Sequence, residues 1–339
     1  GTWENGSFQP LEGKTTDESG SVSLAFPAGE YLVTAQGTSK GTVQDWSSGS
    51  AVDVNDFDRP LMAPACTIIS AMPNGNAGEN GGSNAKWIFD LDTKVLTIKG
   101  AGATTSLSNK PWKAYVEEIE KVVIEEGITA LNTSFGDCLK LESVSFPKSL
   151  ERVNGNFRDC SALKELILPE GIEVIDAEAF AYCKKLKKIN FPETLNVIEC
   201  GAFRACFSLE TVTLPKTMKG LNNCAFYNAG IKHLTLPEKV SLGTGVEVFA
   251  GTNIETIDIP EDFTLGKAMF EKCWELRSVN LKGSGITIPE KCFSNCTNLT
   301  EIDITRVALI KDEAFCRCQN LSVSTIPANT LVSVSAFSE

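Results

Sequence analysis

Residues 176–192 read DAEAFAYCKKLKKINFP, and residues 199–215 read ECGAFRACFSLETVTLP. The two stretches share one skeleton. Ala179-Phe180, Cys183, Leu186, Ile189, Phe191 and Pro192 align with Ala202-Phe203, Cys206, Leu209, Val212, Leu214 and Pro215. Followed along the chain, the Phe recurs as Phe135, Phe157, Phe180, Phe203, Phe226, Phe249, Phe270, Phe293, Phe315 and Phe337, at intervals of 21 to 23 residues. Ten of 18 Phe in one phase is not a chance arrangement. A period in this range marks a solenoid, whose unit cannot bury its own apolar face and must stack on copies of itself.

The last residues of each unit, of the form L-x-x-V-x-L, read as a strand. Pro147, Pro169, Pro192, Pro215, Pro237, Pro260 and Pro327 close most of them, and Lys282 and Thr305 take that place in the coils between. Pro cannot donate to a strand ladder, so it marks where the chain leaves the sheet. The Ala-Phe segment opposite is expected to form a short helical or 3₁₀ turn. Successive strands then stack in one parallel sheet. The fold class is therefore an α/β repeat solenoid, expected to be right-handed, over residues 119–339 in about ten units of roughly 23 residues.

Seven of the 12 cysteines, Cys138, Cys160, Cys183, Cys206, Cys273, Cys296 and Cys318, lie three residues after a repeat Phe. No CxxC pair is present, and one coil of separation does not suit a four-ligand zinc site. They read as a ladder of buried free thiols acting as small hydrophobes, with disulfides or a metal as the competing readings. Cys66, Cys200, Cys224, Cys292 and Cys316 lie off this ladder and carry no spacing signal.

Residues 1–70 have a different texture. Turn clusters at residues 16–20 and 27–29 separate alternating stretches at 21–26 (SVSLAF) and 31–35 (YLVTA), and a third strand is expected through Ala51-Val52-Asp53-Val54. The stretch TTDESGSVSLAFPAGEYLVTAQG resembles small immunoglobulin-like or prealbumin-like β modules of bacterial surface proteins. Asp53, Asp56 and Asp58 read as a solvated loop rather than a calcium site. Phe57 falls where an EF-hand needs an oxygen ligand, and neither the Gly nor the distal Glu follows.

Residues 71–85 read as a polar Gly/Asn linker. Residues 86–118 begin with two alternating strands around a turn at Asp92-Thr93-Lys94 and are expected to cap the solenoid as a β-hairpin. Trp87 and Trp112 are expected to pack this cap rather than form a sugar-stacking platform. The chain begins at Gly1 with no charged and then apolar leader, and reads as a mature or trimmed form.

The repeat A-F-x-x-C-x-x-L-x-x-(I/V)-x-(L/F)-P resembles the BspA-like leucine-rich repeat family of bacterial cell-surface proteins. The preceding WIFDLDTKVLTIKGAGA and PWKAYVEEIEKVVIEEGI resemble the lead-in to such repeats in surface proteins of gut bacteria. Departures fall at Ala229 and Thr252, which replace the ladder Cys in coils one residue shorter, and at Ser324. A kink between Ala229 and Thr252 is expected. The resemblance implies an extracellular, monomeric, non-enzymatic chain of the adhesin type. Its partner would be a host matrix or other cell-surface protein.

Residue chemistry narrows the rest. The net charge of −12 disfavours nucleic acid and anionic membrane as partners. No run of 18 apolar residues is present, so no transmembrane segment is expected. His233 is the one histidine, and the GxSxG, P-loop, GxGxxG and HExxH motifs are all missing. No catalytic residue, cofactor or metal is therefore assigned.

The outward strand positions remain. Glu142, Lys164, Lys187, Glu210, Lys232, Glu255, Arg277, Thr300 and Ser322 follow the repeat Leu and alternate in sign from Lys187 to Arg277. They read as a self-neutralised ladder that holds register, with a charged docking strip as the competing reading. A second outward row is short and polar, and a binding face is placed on it at Thr235, Asp258, Asn280 and Asp303, with His233 beside it. Three readings stand: a protein-binding face, a passive spacer within a larger surface protein, and a carbohydrate-binding module. The lack of an aromatic row among the strand positions counts against the last.

Overall fold

A computed structural model describes residues 2–4, 7–9, 41–45, 50–54, 73–78, 83–105, 110–153, 157–238, 243–323 and 325–339. The chain divides into two compact units, residues 1–74 and 75–339. In the first, Thr2–Glu4 pairs antiparallel with Ser7–Gln9, and Gly41–Asp45 with Ser50–Val54. The last of these contains the strand expected at residues 51–54. The strands expected at 21–26 and 31–35, the loop through Asp58, Cys66 and Ser324 lie outside the described residues.

The second unit opens with strands Ala85–Asp90 and Val95–Gly100, which form an antiparallel hairpin. Lys94 takes a left-handed φ of 58° in its turn, where the Asp90 carboxylate accepts hydrogen bonds from the amides of Asp92 and Thr93. Val95–Gly100 then pairs in parallel with Lys121–Ile124, so the hairpin runs directly into the repeat ladder. The polar linker expected over residues 71–85 is partly built into this end. Ala77 is fully buried and donates its amide to the Ala85 carbonyl, and Gly78 bridges Thr104. Small side chains let this backbone lie flat against the hairpin, which a reading of polarity alone misses.

Each coil up to Glu301–Ile302 carries a strand at the expected position, and the last coil has none among its described residues. Lys121–Ile124, Ser143–Ser145, Glu165–Ile167 and Lys188–Asn190 form one parallel ladder. Thr211–Thr213 pairs with His233–Thr235, while Thr256–Ile259, Ser278–Leu281 and Glu301–Ile302 form a further run. The single sheet expected from sequence is corrected here, because a second parallel ladder follows most of these strands, though not Thr256–Ile259. It joins Ile128–Leu131, Arg152–Val153, Val174–Ile175, Val197–Ile198, Gly220–Leu221 and Gly243–Thr244. It resumes through Ile286–Ile288, Val307–Ile310 and Leu331–Val332. Most of these strands are two residues long, too few to show an alternating pattern in sequence.

The outer Ala-Phe segments are tight turns, so the α/β class is corrected to a β-solenoid. Among the described residues the 3₁₀ helix at Lys113–Tyr115 lies before the first coil. Two residues after each repeat Phe from Phe135 to Phe315 the backbone is left-handed; at Asp159, Tyr182, Ala205, Asn228 and Lys272 φ lies between 55° and 62°. Such residues are disfavoured by roughly 1–2 kcal/mol each. A third set of inter-coil hydrogen bonds offsets this. The amides of Phe157, Phe180, Phe203 and Phe226 donate to the carbonyls of Ala179, Ala202, Ala225 and Val248 at 2.7–2.9 Å. Those of Tyr182 and Ala205 donate to Arg204 and Tyr227 at 2.7 and 2.8 Å.

Inside the turns the Phe rings form one stack. It runs from Trp112 through Phe135 and every repeat Phe to Phe337, with centroids 4.8–5.7 Å apart and planes within 17°. Trp87 meets Trp112 edge-on at 6.4 Å, within the hairpin end.

Candidate functional site

The ladder cysteines occupy a constant place beside this stack. Cys138, Cys160, Cys183, Cys206, Cys273 and Cys296 are buried, Cys318 is half-buried, and all are free thiols. Each thiol from Cys160 to Cys206 donates to the carbonyl of the Phe one coil back: Phe135, Phe157 and Phe180, at 3.2–3.3 Å. Cys273, Cys296 and Cys318 do the same to Phe249, Phe270 and Phe293. The thiol is small enough for the core yet satisfies a buried carbonyl, which explains its choice over Ala. Burial pushes the Cys138, Cys206 and Cys318 thiols up to about 12 and Cys273 to about 11, so they stay protonated. Where Thr252 replaces Cys, its hydroxyl donates to the Phe249 carbonyl at 2.8 Å. Among the described residues no cluster of His, Cys, Asp and Glu is placed to hold a metal ion.

On the strand face, the alternating charges pair in part. Lys164 meets Glu142 at 2.7 Å and Lys232 meets Glu210 at 3.1 Å. The hydrogen bond from Lys164 holds the Glu142 carboxyl below the usual range. The polar row is divided. Asp258 and Asn280 stand opposite each other in register, 3.1 Å apart, and Lys282 reaches Asp258 at 3.0 Å. Lys282, and then Asn280, lower the Asp258 carboxyl. Asp303 lies just past its strand and accepts from the Thr305 amide at 2.9 Å; the Thr305 side chain, and then this amide, hold its carboxyl low as well. His233 and Thr235 are exposed but belong to the separate pair with Thr211 and Thr213. Asp258 and Asn280 are thus brought together, while no ladder joins them to His233 and Thr235.

The interruptions shape this face. Lys187 donates its amide to the Lys164 carbonyl and Lys232 to Glu210, both at 2.9 Å; Arg277 donates to Glu255 at 2.8 Å. Among the described residues the equivalent amides of Glu210 and Glu255 make no such bond. A groove of about 1180 Å³ spans the first break, between Lys188–Asn190 and Thr211–Thr213, and extends over the strands on either side, to Glu165 and Thr235. Ile167, Phe207 and Trp274 stand 66%, 55% and 53% exposed, and the first two line the groove. Phe207 and Trp274 occupy the residue just after the ladder Cys, outside the strand rows, so the search for aromatics among strand positions passes over them.

Residues 129–246 and 231–339 match the family profile of the BspA type leucine-rich repeat region, in six copies. Among solved structures, a leucine-rich repeat protein from Bacteroides ovatus ATCC 8483 is 22% identical, covering 75% of this chain and 80% of its own, with a TM-score of 0.49. One from Eubacterium ventriosum ATCC 27560 is 20% identical over 77% and 94% of the two chains, at 0.39. A leucine-rich cell surface protein from Faecalibacterium prausnitzii A2-165 is 20% identical over 71% and 86%, at 0.42. No curated protein matches the chain.

Proposed function

We propose that this chain, which belongs to the BspA-type leucine-rich repeat family, is a non-enzymatic protein-binding module of the bacterial cell surface, with the strand face as its docking surface. In this reading the hairpin of Ala85–Asp90 and Val95–Gly100 caps the solenoid, and residues 1–70 are a small immunoglobulin-like module that helps display it. The observation that carries the proposal is the exposure of Ile167 and Phe207 on a face whose neighbouring positions are polar. Either side chain alone would be ordinary, but two large apolar groups lining one groove amid polar neighbours suit an interaction surface. The leucine-rich cell surface protein of F. prausnitzii supports an extracellular setting. Among the described residues no helix is long and apolar enough to cross a membrane.

A passive spacer is the second reading, favoured by the uninterrupted ring stack, which makes a stiff core without need of a ligand. The test is a binding panel of extracellular matrix and cell-surface proteins, with Ile167→Lys and Phe207→Lys as variants. Binding by the wild type that both variants weaken at least tenfold supports the docking face. A wild type that binds nothing in the panel favours the spacer.

A further inference from the structure

The break between Lys188–Asn190 and Thr211–Thr213 has a local cause. Most coils end the strand with an aliphatic residue: three paired positions follow Leu168, and three follow Leu214, whereas the second break follows Leu236 and has no ring beside it. Phe146 and Phe191 stand at the same place, and each turns its ring edge-on to the next coil's Phe, at 5.9 and 5.6 Å. After Phe146 the pairing falls to the single position Ser143↔Glu165, and after Phe191 it vanishes. Phe191 also reaches Phe226, two coils on, at 6.4 Å. The ring is a wedge. It parts the strand face while the coils stay joined behind it, through Val197–Ile198 with Gly220–Leu221 and through the Phe180 and Tyr182 amides, which donate to Ala202 and Arg204.

Resting on the docking-face reading above, we propose that the groove held open by Phe191 receives an extended peptide segment of a partner protein, added as a strand along the interrupted ladder. Two facing strand edges without ladder partners are a template for strand addition. The exposed Ile167 and Phe207 supply an apolar contact for alternate side chains. The strand pairs on both sides are parallel, which sets the direction, and charge sets the flanks. Where the strands start, Lys187 and Lys188 stand against Glu165, since Lys232 holds Glu210; where they finish, Glu193 and Glu238 stand against Lys216. The start is net positive and the finish net negative. A peptide running parallel to the ladder therefore carries acidic residues at its amino end and basic residues at its carboxyl end.

The probe is an acetylated, amidated peptide, EETVTLTVKK, with its flank-reversed counterpart KKTVTLTVEE, titrated by fluorescence anisotropy against the full chain. The wild type is expected to bind the first peptide at least tenfold more tightly than the second. Phe191→Leu, which lets the strands close, is expected to lose at least tenfold in affinity with its melting midpoint unchanged or raised. Should Phe191→Leu fail to fold, Lys187→Glu with Lys188→Glu takes its place and should invert the flank preference. No binding by the wild type, equal binding of both peptides, or full affinity in Phe191→Leu each overturns the proposal. So does concentration-dependent self-association that Phe191→Leu abolishes, which would assign the groove to a second copy of the chain. A panel protein that still binds Phe191→Leu but not Phe207→Lys would sink the groove inference while leaving the docking face intact.

Discussion

The turns and the strand face of this solenoid belong to the same coils, yet they behave as different structures. At the turns the inter-coil bond recurs at each step from Phe157 to Phe315, and the rings behind it stack from Trp112 to Phe337. At the strand face the ladder stops after Lys188–Asn190 and again after His233–Thr235. The turns repeat because each coil supplies the same groups: a ring, a carbonyl, a left-handed residue and, in most coils, a thiol. The strand face varies in part at the last position of the strand, where a Phe ring goes with reduced or lost pairing, although it also stops after Leu236, where no ring stands. Stability is thus concentrated where the sequence is monotonous, and the strand face is free to vary where it is not.

The broadest way to break this contrast is alkali. Burial raises the ladder thiols from an ordinary 9.0 to about 11 or 12 where a value is resolved. The folded thiol keeps its proton while the unfolded one loses it. Their contribution is complete below pH 9.0 and declines as pH rises toward 12, by about 1.4 kcal/mol per pH unit for each thiol involved. A denaturant midpoint that falls steeply across that window is expected. A Cys183→Ala, Cys206→Ala double variant should show a shallower fall, and an unchanged slope would contradict the thiol account.

A narrower perturbation is Phe203→Ala, which removes one ring from the middle of the stack. It should cost about 3–5 kcal/mol and loosen the adjoining coils first. Phe337 ends the stack at 38% exposure, so Phe337→Ala should cost clearly less in the same thermal melts. Equal losses would mean that the rings are not one cooperative row. The smallest effect belongs to the strand face. Lys232→Ala removes an exposed pair with Glu210 and should change stability by no more than about 1 kcal/mol. A larger loss by denaturant titration would place part of the framework there.

Much of this was open to reading from residue types alone, for unequal reasons. The Phe and Cys positions recur every 21 to 23 residues, and stacking requires that they coincide in space. The left-handed turn residues are hidden because Asp159, Tyr182, Ala205 and Lys272 fill them where Gly would have announced them. Those residues are held by bonds to the next coil, which no local pattern displays. The face was legible as polar at Thr235, Asp258 and Asn280. The groove was not, because Phe191 satisfies the repeat as well as Leu does and differs from it only in volume.

Hydrogen exchange resolved to single amides tests the contrast most directly. The Phe203 amide, bonded to Ala225, and the Lys187 and Lys232 amides, bonded to the preceding coils, should exchange slowly and with similar protection. The Glu210 amide sits between them in the repeat and should exchange at least a hundredfold faster. Protection at Glu210 equal to that at Lys187 and Lys232 would mean the strand ladder is continuous, and would contradict the division between an unbroken spine of turns and a parted face.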